Sequence, residues 1–270
     1  MLTFNRPQKI GRAIESVCAQ TFQDWELLVV QDGSHAATGD ILREWCATDT
    51  RVRHLPRGVV GSIAEASNYG LERSAGEYIA ILDDDDYWCD REKLARQVEF
   101  LDRNPEYVGC GGGYVLVDPD GKELRRCLKP ETDRQIRLGA LLANPIANST
   151  AMFRRVVGGK AAHYDERLRG FADWDFWLMI GTRGKLYNVQ ECIARYTLWE
   201  GGGSFFQQKV NTRSAIWIVR KHRNAYSGFI PGLGLAYAAY LYACLPEVVR
   251  RFSYQRLSSL KKGMAASRLL

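Results

Sequence analysis

The chain has 270 residues, of which 46% are hydrophobic and 25% charged, and its net charge is +6. This composition is typical of a globular protein and allows one large domain, or one domain with an appendage. The seven cysteines are scattered and never spaced Cys-x-x-Cys, which indicates reduced thiols in a cytoplasmic setting and no structural zinc. No stretch reaches the roughly 18 to 20 apolar residues of a membrane span, and no signal segment is apparent.

The positive charge is concentrated at the C-terminal end. Residues 205–270 contain eleven lysines and arginines against the single acidic residue Glu247, a net charge of +10, which leaves −4 for residues 1–204. Basic segments of this kind favour nucleic acid, anionic lipid or acidic partners. We therefore predict two units, residues 1–204 and residues 205–270.

Helix and strand patterns alternate along the first part of the chain. Helical spacing of apolar residues follows Pro7, whose fixed φ suits the first turn of a helix. The predicted elements are a helix over 7–21, a strand over 25–30, a helix over 41–46, a strand over 52–55, a helix over 63–71 and a strand over 78–82. This alternation predicts a doubly wound α/β fold with a parallel sheet.

The segment that follows has a more varied pattern. The predicted elements are a helix over 94–101, strands over 107–117 and 123–128, a strand over 149–153, a helix over 174–180, short strands over 186–189 and 192–196, and a glycine-rich segment over 201–204. The turn sequence Asp118-Pro119-Asp120-Gly121 predicts that the first two of these strands form a hairpin.

Four consecutive carboxylates, Asp83 to Asp86, directly follow the predicted strand over 78–82. They raise one another's pKa values unless a cation lies among them. Mg²⁺ prefers one or two carboxylates, with substrate phosphates completing its shell, and ligands of open α/β sheets bind at the carboxyl ends of strands. The run therefore predicts a metal-diphosphate site. The alternative is a solvated acidic loop or helix N-terminus.

Four blocks of sequence carry a resemblance to a known family. They read TFNRP at 3–7, QTF at 20–22 followed by DGS at 32–34, GEYIAILDDDD at 76–86, and DWDFWL at 173–178. In their order and spacing they resemble the family 2 inverting glycosyltransferases with the GT-A fold. The resemblance covers about residues 1–204 and implies a GT-A-type doubly wound mixed sheet flanked by helices. Residues 205–270 add a helical, basic and amphipathic extension.

The first two blocks are implied to bind the nucleotide of a nucleotide-sugar donor. By resemblance, Phe4 stacks near the base with Thr3 beside it, and Asp32 accepts hydrogen bonds from the base or the ribose. A flat apolar surface with a few polar groups suits a nucleoside. Alternatively, Phe4 is a core aromatic and Asp32 only closes a turn before Gly33.

The last two blocks are implied to bind metal and to catalyse transfer. Asp83 and Asp85 match the two carboxylates of the family's DxD motif. Asp85 would contact the divalent metal, Mg or Mn, most directly, and Asp83 would bind both the metal and the nucleotide sugar. Asp173 matches the general base, which must reach an acceptor hydroxyl. Asp175 is assigned to structural support, although both of these aspartates could simply cap a helix.

Several positions depart from the family's pattern. The family has an apolar strand of about six residues ahead of the first block, whereas only two residues precede Thr3, so we expect the first strand to be truncated. Ser67 and Thr197 stand where arginines are common, and Ala172 stands where the family usually has Glu. We expect these changes to affect donor and acceptor contacts rather than the reaction class.

The C-terminal unit combines basic, apolar and aromatic residues. Its apolar segment over 229–245 carries tyrosines and is preceded by a basic cluster at 220–223. This combination is typical of an interfacial helix on an anionic membrane surface. The alternative is a helix packed on the catalytic unit with its basic face in solvent. Because no recognised nucleic-acid-binding motif accompanies the charge, no nucleic acid is expected as a partner.

The sequence thus predicts a metal-dependent inverting glycosyltransferase. It would move a sugar from a nucleotide-sugar donor, with a UDP-sugar favoured, to a hydroxyl of a cell-envelope glycan or a lipid-linked acceptor. We expect it in the cytoplasm, peripheral at the inner face of the cell membrane. One alternative is a sugar nucleotidyltransferase, although the glycine-rich loop expected near its N-terminus is not evident. Another is an inactive relative that only binds nucleotide or a partner.

Overall fold

The computed structural model of the protein describes residues 1–198, 208–245 and 250. The predicted glycine-rich segment at 201–204, the boundary after residue 204 and the basic residues beyond 250 lie outside these described residues. The division of the chain into two units therefore stays a prediction.

The N-terminal part forms a small parallel sheet covered by helices. Its strands are β1 (Leu2–Thr3), β2 (Leu27–Gln31) and β3 (Val52–Pro56), in the order β1-β2-β3, and its helices are α1 (Pro7–Cys18), α2 (Ala36–Thr48) and α3 (Ile63–Arg73). Helix α1 begins with Pro7 and buries an apolar stripe that includes Ile10 and Ile14, which pack in one core with Val29 of β2. The predicted alternation of helices with parallel strands is confirmed in this part.

A second, mixed sheet follows. The elements in chain order are β4 (Tyr78–Ala80), β5 (Tyr87–Trp88), α4 (Lys93–Arg103), β6 (Tyr107–Val117), β7 (Glu123–Cys127), α5 (Asp133–Gly139), β8 (Met152–Arg154), β9 (Val156–Val157), β10 (Lys160–Ala161), α6 (Ala172–Gly181) and β11 (Lys185–Thr197). The strand order is β4-β8-β6-β11-β5, with β7 on β6, whereas β9 and β10 form a separate pair. Strands β6 and β11 run parallel, and the other neighbours in the large sheet run antiparallel.

The structure confirms the predicted hairpin of β6 and β7 and corrects other elements. Among the described residues, parallel pairing occurs in the first sheet, in the β6–β11 pair and in the bridge from Leu2 to Asp83, so the parallel sheet predicted from the alternation holds for the first sheet and the large sheet is mixed, as the resemblance implies. The strand predicted over 149–153 begins only at Met152, because Asn148–Thr150 forms a 3-10 helix. The two short strands predicted within 186–196 are one strand, β11, whose register is irregular between Val189 and Cys192.

Strand β1 joins the two sheets. Leu2 pairs with Val30 of β2 on one side and forms a parallel bridge to Asp83 on the other. The amino group of Met1 donates a hydrogen bond to the Leu28 carbonyl at 2.9 Å, and burial lowers the pKa of this amino group to about 6. Two residues thus lie where the family pattern places a longer strand, and the expected truncation stays a prediction.

Helix α6 lies at the centre of the larger core and is apolar on most of its faces. Phe176 and Trp177 are completely buried, and the Phe176 ring stacks on Tyr164 with a centroid distance of 4.1 Å. Such a helix needs neighbours on all sides. The helices α7 (Gln208–Lys221) and α8 (Phe229–Cys244) supply residues to the same core. Of the helices that the structure describes, α8 included, none has the length and apolar character to cross a bilayer.

Asp175 connects α6 to α7. Its buried carboxylate accepts a hydrogen bond from Lys221 Nζ at 2.7 Å and lies 2.8 Å from His222 Nε2. Lys221 also pairs with Asp165 at 3.0 Å. The structural role predicted for Asp175 would consist of these contacts, since they hold the C-terminal helices on the rest of the chain.

Replacing Asp175 tests this role. We expect Asp175→Ala to lower the free energy of unfolding by about 3 kcal/mol, because two buried or half-buried nitrogen groups lose their carboxylate. Asp40→Ala is the matched control, since Asp40 pairs with Arg43 at an exposed surface and its loss should cost less than about 1 kcal/mol. Urea denaturation followed by circular dichroism measures both. Equal losses in the two variants would contradict a structural role for Asp175.

Candidate active site

The predicted site residues follow neighbouring strands. Phe4 follows β1, Asp32 follows β2, and Asp83, which follows β4, bridges to Leu2 of β1. Because β1 pairs in parallel with both β2 and Asp83, the carboxyl ends of these segments lie at one edge. The topology therefore brings the first three sequence blocks together.

The aspartate run alternates between accessible and buried side chains. Asp83 and Asp85 are half-buried, whereas Asp84 and Asp86 are buried. The side chain of Asp85 is 16% exposed and that of Asp84 only 3% exposed. The two accessible carboxylates are the ones that match the DxD motif, and the two buried ones are held by protein groups.

Arg6 supplies positive charge to the middle of the run. Its Nη1 lies 2.7 Å from Asp84 Oδ1 and 2.9 Å from Asp85 Oδ2. Burial tends to lower the pKa of Arg6, but the charges of these two aspartates outweigh it and raise that pKa. The preceding residue, Asn5, has a φ of 54°, a left-handed conformation that is uncommon outside glycine and is concentrated at functional sites.

Protein groups compensate the negative charge of Asp83 less than that of Asp84. Its Oδ1 accepts a hydrogen bond from Asn148 Nδ2 at 3.1 Å. Burial, followed by the charges of Asp85, Asp173 and Asp84, raises the pKa of Asp83 to about 7. Since each of these causes penalises the ionised form, a cation beside Asp83 would be favoured. The contribution of Asp173 also indicates that the fourth sequence block lies near the run.

Asp86 anchors the run to the 3-10 helix Asn148–Thr150. It accepts hydrogen bonds from Ser149 Oγ at 2.6 Å and from the Thr197 backbone N–H at 3.1 Å. Burial raises the pKa of Asp86 well above its ordinary value. The contact with Ser149 fixes the short helix that carries the amide donor to Asp83.

Phe4 offers an exposed aromatic surface beside Gly33. Its side chain is 45% exposed, and a Cβ atom added to Gly33 would lie only 3.4 Å from Phe4 Cε2. Phe4 is therefore not a core aromatic. Thr3, in contrast, is 2% exposed, so Phe4 is the member of this pair whose side chain reaches solvent.

Asp32 is held in place by two donors. Its Oδ1 accepts from Arg57 Nη1 at 2.7 Å, and its Oδ2 accepts from the Gly61 backbone N–H at 3.0 Å. A carboxylate oxygen has more than one lone pair, so both oxygens can accept a further hydrogen bond. The carboxylate is thus oriented at the end of β2 and still able to bind a nucleoside.

Asp173 lies in the first turn of α6 and is half-buried. Asn144 Nδ2 donates to its Oδ2 at 2.7 Å, and Lys129 Nζ donates to the Asn144 carbonyl at 2.9 Å. Burial raises the pKa of Asp173, although nearby backbone N–H groups and the charge of Lys129 act in the opposite direction. A raised pKa suits a general base. Phe171, which caps this helix, has a φ of 52°, a second unusual left-handed conformation.

A divalent cation fits this site if a substrate completes its shell. Within residues 1–198, 208–245 and 250, no three His, Cys, Asp or Glu side chains form a ready metal centre. Asp83 and Asp85 nevertheless supply two accessible carboxylates, and diphosphate oxygens would provide further ligands of the kind that Mg²⁺ prefers. The donor set therefore suits a cation that binds together with a nucleotide.

One departure from the family's pattern is offset by a neighbour. Thr197 stands where arginine is common, but Arg12 of α1 donates from Nη2 to Thr197 Oγ1 at 3.0 Å. The same guanidinium lies 4.0 Å from the centre of the Tyr87 ring. A guanidinium is therefore present at this position although residue 197 does not supply it.

Sequence reasoning missed several residues that contact the predicted ones. Arg6 lies inside the first block, and a cation in a block implied to bind the same donor as the four carboxylates is the signal that could have identified it. Asn144, Asn148 and Lys129 come from segments without a motif. Only the fold brings Asn144 and Asn148 to the aspartates and Lys129 to Asn144, so no sequence signal was available for them.

The mixed sheet, its flanking helices and the acidic run at the carboxyl ends of the strands define the class as a GT-A fold. The sequence matches Glycosyl transferase family 2 over residues 1–158, more than half of the chain. The protein belongs to this family.

Curated relatives come from several bacteria. TuaG of Bacillus subtilis, named as a glycosyltransferase of teichuronic acid biosynthesis, is 32% identical over 200 residues, which cover 73% of this chain and 76% of TuaG. EpsE of the same organism, named as a glycosyltransferase, is 26% identical over 277 residues, which cover 97% of this chain and 94% of EpsE.

Solved structures show the same fold. The mannosyltransferase PcManGT from Pyrobaculum calidifontis, in complex with GDP-Man and Mn²⁺, superposes with a TM-score of 0.65 over 96% of this chain and 78% of its own, at 18% identity. S. aureus TarS gives a TM-score of 0.61 over 94% of this chain and 43% of TarS, also at 18% identity. At such identities the shared feature is the GT-A fold.

The pKa of Asp83 predicts a pH-dependent metal affinity. The pKa of Asp83 is higher in the folded site than in the unfolded chain, so the bound proton contributes to the stability of the folded state. This contribution is complete below the ordinary pKa of 3.8 and is lost as the pH rises through about 7. A cation must displace the same proton. We expect Mn²⁺ to bind about tenfold more weakly at about pH 6 than at about pH 8 in calorimetric titrations.

Asp83→Asn controls for this effect, because it removes the titrating group and should flatten the pH dependence while weakening binding. Equal affinity of the wild type at both pH values would contradict the assignment of Asp83 to the metal.

Proposed function

We propose that the protein is a metal-dependent inverting glycosyltransferase. It transfers a sugar from a nucleotide-sugar donor, with a UDP-sugar favoured, to a hydroxyl of a cell-envelope glycan or lipid-linked acceptor. The observation that carries the proposal is the accessible pair Asp83 and Asp85, with Asp173 near enough to raise the pKa of Asp83. A diphosphate site with a carboxylate base beside it has the parts that displacement at an anomeric carbon requires.

Residues and relatives both support a nucleotide-sugar donor. Phe4 presents an exposed ring near Gly33, and Asp32 is oriented by Arg57, which together suit a nucleoside. Neighbouring structures contain UDP, UDP-GlcNAc and, with Mn²⁺, GDP-Man. Membership of a glycosyltransferase family also favours this function over the sugar nucleotidyltransferase alternative.

In the proposed reaction, Asp173 accepts the proton of the acceptor hydroxyl as that oxygen attacks the anomeric carbon. The bond from this carbon to the diphosphate breaks in the same step, so the configuration inverts. Asn144 orients the base through its hydrogen bond to Asp173 Oδ2. Asp83 and Asp85 would hold a divalent metal, which when bound would neutralise charge on the departing diphosphate.

Replacing Asp173 separates an enzyme from an inactive binder. We expect Asp173→Asn to lower turnover by a factor of about 10² to 10⁴, because general base catalysis contributes this much. The dissociation constant for UDP should change by less than about twofold, since the base contacts the acceptor rather than the nucleotide. Turnover is measured as UDP release, and UDP binding is measured by calorimetry.

Asp120→Asn, at an exposed position in the hairpin turn, serves as the control and should leave both quantities unchanged. Full turnover in Asp173→Asn would exclude Asp173 as the base. A wild-type protein that binds UDP but releases none from any donor would support the inactive-relative alternative.

We also propose that the C-terminal helices meet an anionic membrane surface at the inner face of the cell membrane. On α8, Ile230, Tyr237 and Leu241 lie on one face by helical spacing, and Ile230 and Leu241 are 81% and 65% exposed. We call these three residues the apolar stripe. Helix α8 contains no charged residue, whereas α7 carries Lys209, Arg213, Arg220 and Lys221.

A groove between α7 and α8 combines this charge with aromatic surface. It has a volume of about 310 Å³ and is lined by Arg213, Ile216, Trp217, Arg220 and Tyr240. Arginine and aromatic side chains beside exposed apolar residues suit the headgroup region of anionic lipid. A lipid-linked acceptor would agree with this surface, and TuaG, named for teichuronic acid biosynthesis, agrees with a cell-envelope glycan.

Vesicle binding tests the membrane proposal. We expect the protein to sediment with vesicles of phosphatidylcholine and phosphatidylglycerol in equal parts, and less so at high salt. The double variant Ile230→Ser, Leu241→Ser should bind at least about tenfold more weakly, because two apolar side chains no longer enter the interface.

Leu138→Ser, at an exposed leucine on α5, is the control for apolar area. Binding that is equal in the wild type and the double variant would exclude the apolar stripe as the docking surface. If the wild type forms a dimer that the double variant loses, the stripe is a contact between copies of the chain instead.

A further inference from the structure

Arg6 forms an ion pair with Asp85, the accessible carboxylate that we assign to the metal. Its Nη1 lies 2.9 Å from Asp85 Oδ2 and 2.7 Å from Asp84 Oδ1, so one nitrogen bridges both aspartates. We propose that Arg6 is a resident counter-ion that releases Asp85 when a cation and a diphosphate bind, and then contacts the diphosphate. This inference rests on the proposed function, since it assigns Arg6 to the same site.

The carboxylates of Asp84 and Asp85 differ in how accessible they are to a ligand. The Asp84 side chain is 3% exposed and the Asp85 side chain 16% exposed, while Arg6 itself is 26% exposed. Asp84 is therefore the fixed anchor, and Asp85 is the partner that a ligand can take. Arg6 can give up Asp85 and stay at the site through its bond to Asp84.

Electrostatics favours this exchange. A divalent cation on Asp85 would stand within a few ångströms of the guanidinium, and two positive groups at that separation repel each other strongly in a partly buried site. A diphosphate brings negative charge with the cation. The planar guanidinium binds phosphate oxygens through parallel hydrogen bonds, so Arg6 has a new partner once the diphosphate is present.

The backbone on both sides of Arg6 is conformationally restricted, which fixes the position of the Arg6 Cα atom. Asn5 on one side has the left-handed φ of 54°, and Pro7 on the other is the first residue of α1. Both restrict the backbone, so the exchange is a movement of the Arg6 side chain about Asp84 and needs no shift of α1. Phe4 lies two residues before Arg6, which links the diphosphate contact to the nucleoside side of the site.

The inference predicts opposite effects on two affinities. In Arg6→Gln, Mn²⁺ alone should bind at least about threefold more tightly than in the wild type, because the Arg6 guanidinium no longer competes for Asp85. UDP in the presence of saturating Mn²⁺ should bind about tenfold more weakly, because a charged hydrogen-bond donor to the diphosphate is lost. Arg6→Lys, which keeps the charge but not the planar fork, should restore weak Mn²⁺ binding but not full UDP affinity.

Calorimetry with Mn²⁺ and with UDP measures both affinities, and circular dichroism confirms that each variant is folded. Arg53→Gln removes a guanidinium from the exposed pair with Glu26 and should change neither affinity. If wild type binds both ligands but Arg6→Gln weakens both or neither, this inference is overturned while the proposed function stands. If wild type binds neither Mn²⁺ nor the nucleoside diphosphates UDP and GDP, both are overturned.

Discussion

Four consecutive carboxylates at one edge of the sheet impose the electrostatic constraint on which the rest of the site depends. The fold meets it by treating the aspartates in two ways. Asp84 and Asp86 are buried, and each is paired or hydrogen-bonded by protein groups, as a buried charge requires. Asp83 and Asp85 are half-buried; burial and the charges of neighbouring aspartates raise the pKa of Asp83 to about 7, and burial raises the pKa of Asp86 well above its ordinary value. Because these raised pKa values penalise the ionised forms, a cation within the run would be favoured.

The support behind the aspartates is a chain of buried polar contacts. The side chain of Lys93, completely buried, donates to Gln97 Oε1 at 2.6 Å, and Gln97 Nε2 donates to the Thr150 carbonyl at 2.9 Å. Trp88 Nε1 donates to the Ser149 carbonyl at 2.7 Å. These hydrogen bonds fix the backbone of the 3-10 helix. They explain how a segment of three residues can hold its side chains in place against two aspartates.

Much of the fold could be predicted because apolar periodicity reports burial directly. Pro7 and the stripe after it mark α1, and the isoleucine-rich strand leading into the aspartates places them at a strand end. The 3-10 helix and the single long strand β11 could not be predicted, because both arise from contacts between distant segments. The four aspartates are identifiable as a run because they are consecutive in the sequence. Their division into buried and accessible pairs depends on contacts with Arg6 and Ser149, which no local sequence pattern connects to them.

We propose above all that Asp85 binds a metal on which donor activation depends. Hydrolysis of UDP-, dTDP- and GDP-sugars, with Mn²⁺ or with a chelator, tests it most directly in wild type and Asp85→Ala, with Asp120→Ala as control. The account predicts that one donor is hydrolysed only with Mn²⁺, and that Asp85→Ala lowers this rate by about a hundredfold or more. Hydrolysis that persists in chelator, or that Asp85→Ala leaves unchanged, would contradict the account.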